Sequence, residues 1–181
     1  MTKKSEIMKN ILSVLAVTGI VVVSLTMPNL LQIFGPRIVG RKKYNGRQLY
    51  GSLYNLKKSG YISMKQEGDK TIIKMTKRGI EKNLKFNLEK LKIKKQTSWD
   101  KKWRIVIFDI PENRKTNRNA LSFKLKEIGF KPLQKSVWIC PYPCEDEIDF
   151  IKEMYEIRPY VRIITADSID TQYDLIKSFN L

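Results

Sequence analysis

An α+β chain of two dissimilar domains is the fold class that the sequence predicts, on three observations. The net positive charge is almost entirely in one half. Residues 1–98 hold 21 Lys and Arg against 5 Asp and Glu, a net +16 of the chain's +17, while residues 99–181 hold 14 against 13. Residues 44–84 read as helix, basic hairpin, helix. From Trp103 the pattern becomes short apolar runs and helical stripes in the order β-α-β-β-α-β. Together these place a hydrophobic helix plus a basic helix-and-hairpin domain in residues 1–84, a basic linker in 85–101 and a second domain in 102–181.

The hydrophobic content of 42% over 181 residues is enough to build cores and argues against wholesale disorder. A pI near 9.9 with so lopsided a charge argues for a polyanionic partner, nucleic acid or an acidic membrane surface. The absence of histidine excludes Ser-His and Cys-His catalysis. Two cysteines, Cys140 and Cys144, cannot complete a tetrahedral zinc site by themselves. They are expected to be reduced packing residues of a cytoplasmic protein.

Residues 10–36 carry no charge. As a helix, Ile11–Met27 would extend about 26 Å, near the lower limit for crossing a bilayer. The favoured reading is a helix buried all round in a small domain or a dimer interface. The alternative is a membrane anchor that leaves the basic domain in the cytoplasm. Pro28 is expected to end or kink this helix and to open a second short one over Pro-Asn-Leu-Leu-Gln-Ile-Phe.

In YNGRQLYGSLYNLKKSG, residues 44–60, Leu49, Leu53 and Leu56 form a core stripe and Gly60 is placed as the C-terminal cap. The opposite face carries Arg47, Gly51, Tyr54 and Lys58, flanked by Gln48, Ser52 and Asn55. The runs in 61–76 joined by Glu-Gly-Asp predict a hairpin, and TKRGIEKNLKF a further short helix. This is the order of a winged helix-turn-helix, whose recognition helix enters the major groove of double-stranded DNA. Arg47, Gln48, Ser52, Tyr54 and Asn55 are therefore candidate base or backbone contacts. Lys57, Lys58, Lys65, Lys70 and Lys74 suit phosphates. The linker reads as partly helical or as containing one strand.

In the second half, RIVIFDI is a short buried strand that ends on Asp109. A helix follows with Ala120, Leu121, Leu125 and Ile128 at helical spacing, ending at Gly129. Two short strands, FKPLQ and SVWICPY, precede a helix with Glu145, Asp146 and Glu147 in its first turn, where the helix dipole favours acids. The order is a ferredoxin-like βαββαβ layout with one sheet face under two helices. Trp99, Trp103 and Trp138 are expected to pack rather than stack on bases. Gln134 and Ser136 are expected to serve sheet-edge hydrogen bonding.

The stretch VIFDIPENRKTNRNALSFKLKEIGFKPLQKSVWICPYPC resembles the small CRISPR-associated endonuclease of spacer acquisition, with its strand ending in Asp and its Gln-x-Ser-Val-aromatic strand. It is similar, too, to the central domain of PaaX-type transcriptional repressors. Those repressors place a winged helix-turn-helix before such a domain, the order found here. The resemblance covers about residues 45–170 and is densest over 103–141; segment 10–36 departs from both patterns. It implies a homodimeric DNA-binding regulator, non-catalytic, with a small-molecule effector such as an acyl-coenzyme A in some members. The nuclease resemblance implies instead that Asp109 holds magnesium, shared across a dimer, in an endonuclease or CRISPR adaptation subunit. One carboxylate per chain, even joined by Glu112, is a thin ligand set for magnesium. The favoured role for Asp109 is therefore to accept backbone N–H bonds from the Ile110–Asn113 turn. A membrane-anchored nucleic-acid-binding protein is the third reading, resting on residues 11–27.

Overall fold

A computed structural model describes residues 3–24, 46–170 and 172–181, in two compact units, Met1–Glu89 and Lys90–Leu181. The first unit runs α1 (Lys3–Thr18), β1 (Ile20–Ser24), α2 (Gly46–Lys58), β2 (Ile62–Glu67), β3 (Lys70–Met75) and α3 (Lys77–Lys90). Its sheet is antiparallel in the order β1-β3-β2. Helix, strand, helix and hairpin in this order form the winged-helix arrangement. The short helix expected from Pro28 lies outside the described residues.

The charge-free run is not one helix. Helix α1 stops at Thr18 because Gly19 takes a left-handed φ of 72°, donating its N–H to the Leu15 carbonyl at 2.9 Å. The β-branched Ile20–Val23 then suit a strand better than a helix. Nor is the helix buried all round. Ile7, Ile11, Leu12, Val14 and Leu15 are buried, while Ser13, Ala16 and Val17 face solvent. No helix among the described residues is long and apolar enough to cross a membrane. Residues 11–24 are thus a helix end and a strand rather than one continuous helix, and 25–27 lie outside the described residues.

One core joins α1 to Leu49, Leu53 and Leu56 of α2, to Ile62 and Ile73 of the hairpin, to Val21 and to Phe86. Each such fully buried aliphatic side chain contributes about 1.5–3 kcal/mol. Lys9 of α1 is buried with them. Its ammonium sits 2.8 Å from the Glu89 carboxylate and 4.4 Å from the Phe86 ring centroid, tying α1 to α3. The hairpin turns through Gly68 and Asp69, with Gly68 at φ 57°, as the Glu-Gly-Asp signal requires.

Helix α3 is longer than the expected short helix and takes in residues 85–90 of the expected linker. Thr76 caps it. Its hydroxyl accepts the Gly79 N–H at 3.1 Å and donates to the Gly60 carbonyl at 2.6 Å. Gly79 is pressed against the end of α2, where a Cβ would stand 2.0 Å from the Tyr61 carbonyl oxygen.

The second unit runs β4 (Trp103–Phe108), a 3₁₀ turn (Glu112–Arg114), α4 (Lys115–Glu127), β5 (Lys131–Gln134), β6 (Val137–Cys140), α5 (Glu145–Met154), β7 (Val161–Ala166) and α6 (Gln172–Phe179). The antiparallel sheet has the order β5-β6-β4-β7, the ferredoxin-like βαββαβ topology. Gly129, at φ 105°, closes α4. The Phe130 N–H reaches back to Leu125 and the Gly129 N–H to Lys126. Helix α6 has no counterpart in the expected layout. It brings Leu175, Ile176 and Phe179 against Trp99, Trp103 and Ile139, a sheet face that the βαββαβ pattern leaves open. Trp103 is fully buried and its ring lies 4.8 Å from Trp99 and 6.1 Å from Phe179, so these tryptophans pack as expected.

Replacing Gly79 by alanine forces a Cβ into the Tyr61 carbonyl. The expected cost is about 1–3 kcal/mol of first-unit stability, read as a lowered midpoint in urea denaturation followed by circular dichroism.

Candidate nucleic-acid interface

Helix α2 is amphipathic by construction. Leu49, Ser52, Leu53 and Leu56 are buried, which turns the remainder of the helix outward. Its C-terminus is closed by Gly60 at φ 70°. The Tyr61 N–H bonds to the Leu56 carbonyl and the Gly60 N–H to Lys57, both at 2.9 Å, a complete Schellman motif. The cap anticipated from Gly60 is thus present, and it aims the chain straight into β2.

The outward face holds Arg47, Tyr54, Lys57 and Lys58, all exposed. Tyr50 belongs with them, 53% exposed beside Tyr54 at 60%. It is the member that the sequence reading missed, although its spacing of three from Arg47 and four from Tyr54 marks the same face. Two other candidates are corrected. Ser52 is buried, and its hydroxyl donates 2.8 Å to the Gln48 carbonyl, so it faces the core side of the helix. Asn55 is half-buried, and its amide donates to the Gly51 carbonyl one turn back. Gln48 and Asn55 border a notch of about 300 Å³ between α1 and α2, whose walls also include Lys4, Ile7, Arg47 and Gly51.

The strand register sorts the hairpin lysines. Ile62, Met64, Ile73 and Met75 occupy the core side, so Lys65, Lys70 and Lys74 share the outer side. All three are exposed, and Lys65 pairs with Glu67 at 2.9 Å. The cations of α2 and those of the hairpin therefore look outward from different sides of one core. Lys70, next to the Gly68–Asp69 turn, stands at the hairpin tip.

In the second unit Asp109 ends β4 and is exposed. Its backbone N–H donates to the Tyr160 carbonyl at 3.0 Å. The expected capping of the Ile110–Asn113 turn does not occur, because that turn closes on its own backbone, with the Arg114 N–H on the Pro111 carbonyl at 2.9 Å. Asp109 borders a concavity with Ser136, Tyr160 and Arg162. Glu112, the second acid considered, is engaged by Arg118 at 2.9 Å and Lys115 at 3.5 Å. No group of three or more metal-ligating side chains forms among the described residues. A single carboxylate does not fit magnesium within one chain.

Residues 96–175 match the family described as the PaaX protein central Cas2-like domain. These residues thus form a domain of the PaaX central, Cas2-like type. No curated protein matches it. Among solved structures, the uncharacterized protein Rv0674 from Mycobacterium tuberculosis is similar over 83% of this chain and 58% of its own, at 18% identity and a TM-score of 0.39. The chain thus spans less than two thirds of that protein's length.

The PaaX-type domain holds one dense ionic cluster where β4 begins. The buried Arg104 grips both oxygens of Asp100, at 2.8 and 2.7 Å, and its Nε lies 3.6 Å from Glu145. This fork holds the Asp100 carboxyl below the usual carboxylate range. Cys140 and Cys144 are buried nearby, free of any disulfide. Their mutual contact lowers Cys140, while the same contact and burial push the Cys144 thiol up.

Two outcomes follow for this unit. A carboxyl with a depressed folded-state pKa stabilises the fold above its unfolded pKa, near 3.9, and that contribution is lost as pH falls through the folded value. Urea midpoints measured against pH should drop below about pH 4, and Asp100→Asn should flatten that acid limb. The exposed, unbonded Asp109 should tolerate alanine, with a stability change within about 0.5 kcal/mol by the same denaturation.

Proposed function

We propose that the protein is a non-catalytic, homodimeric transcriptional regulator that binds double-stranded DNA through helix α2. The observation that carries this reading is the outward face of α2. Arg47, Tyr50, Tyr54, Lys57 and Lys58 project from a helix whose other side is locked by three buried leucines. The helix occupies the recognition position of a winged helix, and its face supplies guanidinium, phenol and ammonium groups suited to base edges and phosphates. Lys70 at the hairpin tip is the wing contact in this reading. Lys65 and Lys74, on the outer sheet face, contribute mainly long-range attraction. Pairing of two PaaX-type domains would present two α2 helices to a pseudo-palindromic site.

Fluorescence anisotropy of labelled duplex DNA across a salt series tests it. Binding should weaken steeply with salt, with a slope of about −0.9 per phosphate neutralised. Lys57→Ala and Lys58→Ala should each reduce that slope by about one unit, and Arg47→Ala should cost about 1–3 kcal/mol on the preferred sequence. Lys65→Ala and Lys74→Ala should move binding least. Salt-independent or absent binding would refute the reading. Magnesium-dependent cleavage abolished by Asp109→Ala would refute its non-catalytic part.

A further inference from the structure

Where the second unit begins, the chain forms a concavity whose acids are engaged and whose donors are not. Residues 85–102 hold seven lysines, all exposed, against Glu89 and Asp100. Leu91 and Ile93 are half-buried while Lys92 and Lys94 are exposed, so the alternation turns the ammonium groups to solvent. Lys94, Lys95, Thr97 and Ser98 then line a concavity of about 620 Å³, together with Asp100 and Pro143.

The carboxylates here are held inward. Arg104 grips both oxygens of Asp100 at 2.8 and 2.7 Å, and the Lys102 N–H adds a third bond at 3.1 Å. Glu145, two residues from Pro143, accepts the Cys144 N–H at 2.9 Å and lies 3.6 Å from the Arg104 Nε. By contrast, the side chains of Lys94, Lys95, Thr97 and Ser98 have no partner among the described residues. Spare ammonium and hydroxyl donors beside engaged carboxylates select a ligand that only accepts, and phosphate oxygens do so. Exposed lysines also continue along the chain on either side of the concavity, Lys90 and Lys92 before it and Lys101 and Lys102 after. A repeating charge of this kind suits a phosphate chain better than a single free anion.

We propose that this concavity is a second contact with duplex DNA, holding backbone phosphates through Lys94, Lys95, Thr97 and Ser98. The inference rests on the protein being the duplex-binding regulator argued above. Helix α2 reads the sequence, and this contact adds affinity that carries no sequence information. Arg104 is a positioning residue for it, because its grip on Asp100 keeps a like charge away from the phosphates.

The test titrates the whole protein by fluorescence anisotropy over a salt series, against a duplex that the native chain selects from a random-sequence pool and against an unselected duplex. Lys94→Ala/Lys95→Ala should lower the salt slope by about two units and weaken both duplexes by the same factor. Lys126→Ala/Lys135→Ala removes two exposed charges elsewhere in the unit and should leave the slope near native. Thr97→Val/Ser98→Ala changes no charge and should weaken both duplexes about two- to tenfold at an unchanged slope. Each variant should melt at the native temperature, since the replaced side chains are exposed. If Lys94→Ala/Lys95→Ala binds like Lys126→Ala/Lys135→Ala while Lys57→Ala and Lys58→Ala lower the slope, the second contact is overturned and α2 stands. A loss confined to the selected duplex would overturn it too, because backbone contacts act on every sequence. So would a Lys94→Ala/Lys95→Ala variant that loses calorimetric binding of inorganic phosphate but keeps native duplex binding, which would assign the concavity to a free phosphate ligand. A native chain that binds neither duplex at low salt would overturn this contact and the regulator reading together.

Discussion

The leucine stripe of α2 is the constraint from which the first unit follows. Burying Leu49, Leu53 and Leu56 against α1 and the hairpin decides which side of the helix meets solvent. The exposure of Arg47, Tyr50, Tyr54, Lys57 and Lys58 is the geometrical remainder of that choice. The Schellman turn at Gly60 and the contact of Gly79 with Tyr61 then hold the hairpin and α3 at the helix's end. A rigid helix with a polar, cationic outer face costs little conformational entropy when it meets a charged surface.

The PaaX-type unit is held by a different device. Its sheet has two covered faces rather than one. Helix α6 seals Trp103 and Ile139, which the βαββαβ layout would leave half-wet. The strand end at Asp109 remains open beside Ser136, Tyr160 and Arg162. Glu112 is committed to Arg118 and Lys115.

Much of the fold was legible because local signals agreed with the tertiary outcome. The 49-53-56 stripe, the Glu-Gly-Asp turn, Gly60, Gly129 and the βαββαβ alternation each stand where the structure has them. The failures share a cause. Residues 11–27 were weighed by hydropathy, which cannot tell one apolar helix from a helix followed by an apolar strand; Gly19 and the β-branched run after it carried that distinction. Ser52 and Asn55 were judged by residue type, although side chains this short readily bond their own helix backbone. Helix α6 went unread because its apolar stripe is brief and its value lies in what it covers.

What the sequence by itself determined was the asymmetry of the chain: a +16 half with a helix and hairpin to carry it, and a near-neutral half with the PaaX-type pattern. Periodicity and composition are local properties, and they suffice for that. Only the tertiary structure decided which polar groups are available. Burial placed Ser52 inside and Tyr50 outside, and the strand register set Lys65, Lys70 and Lys74 on one outer side. Availability depends on neighbours distant in sequence, and no window along the chain contains them.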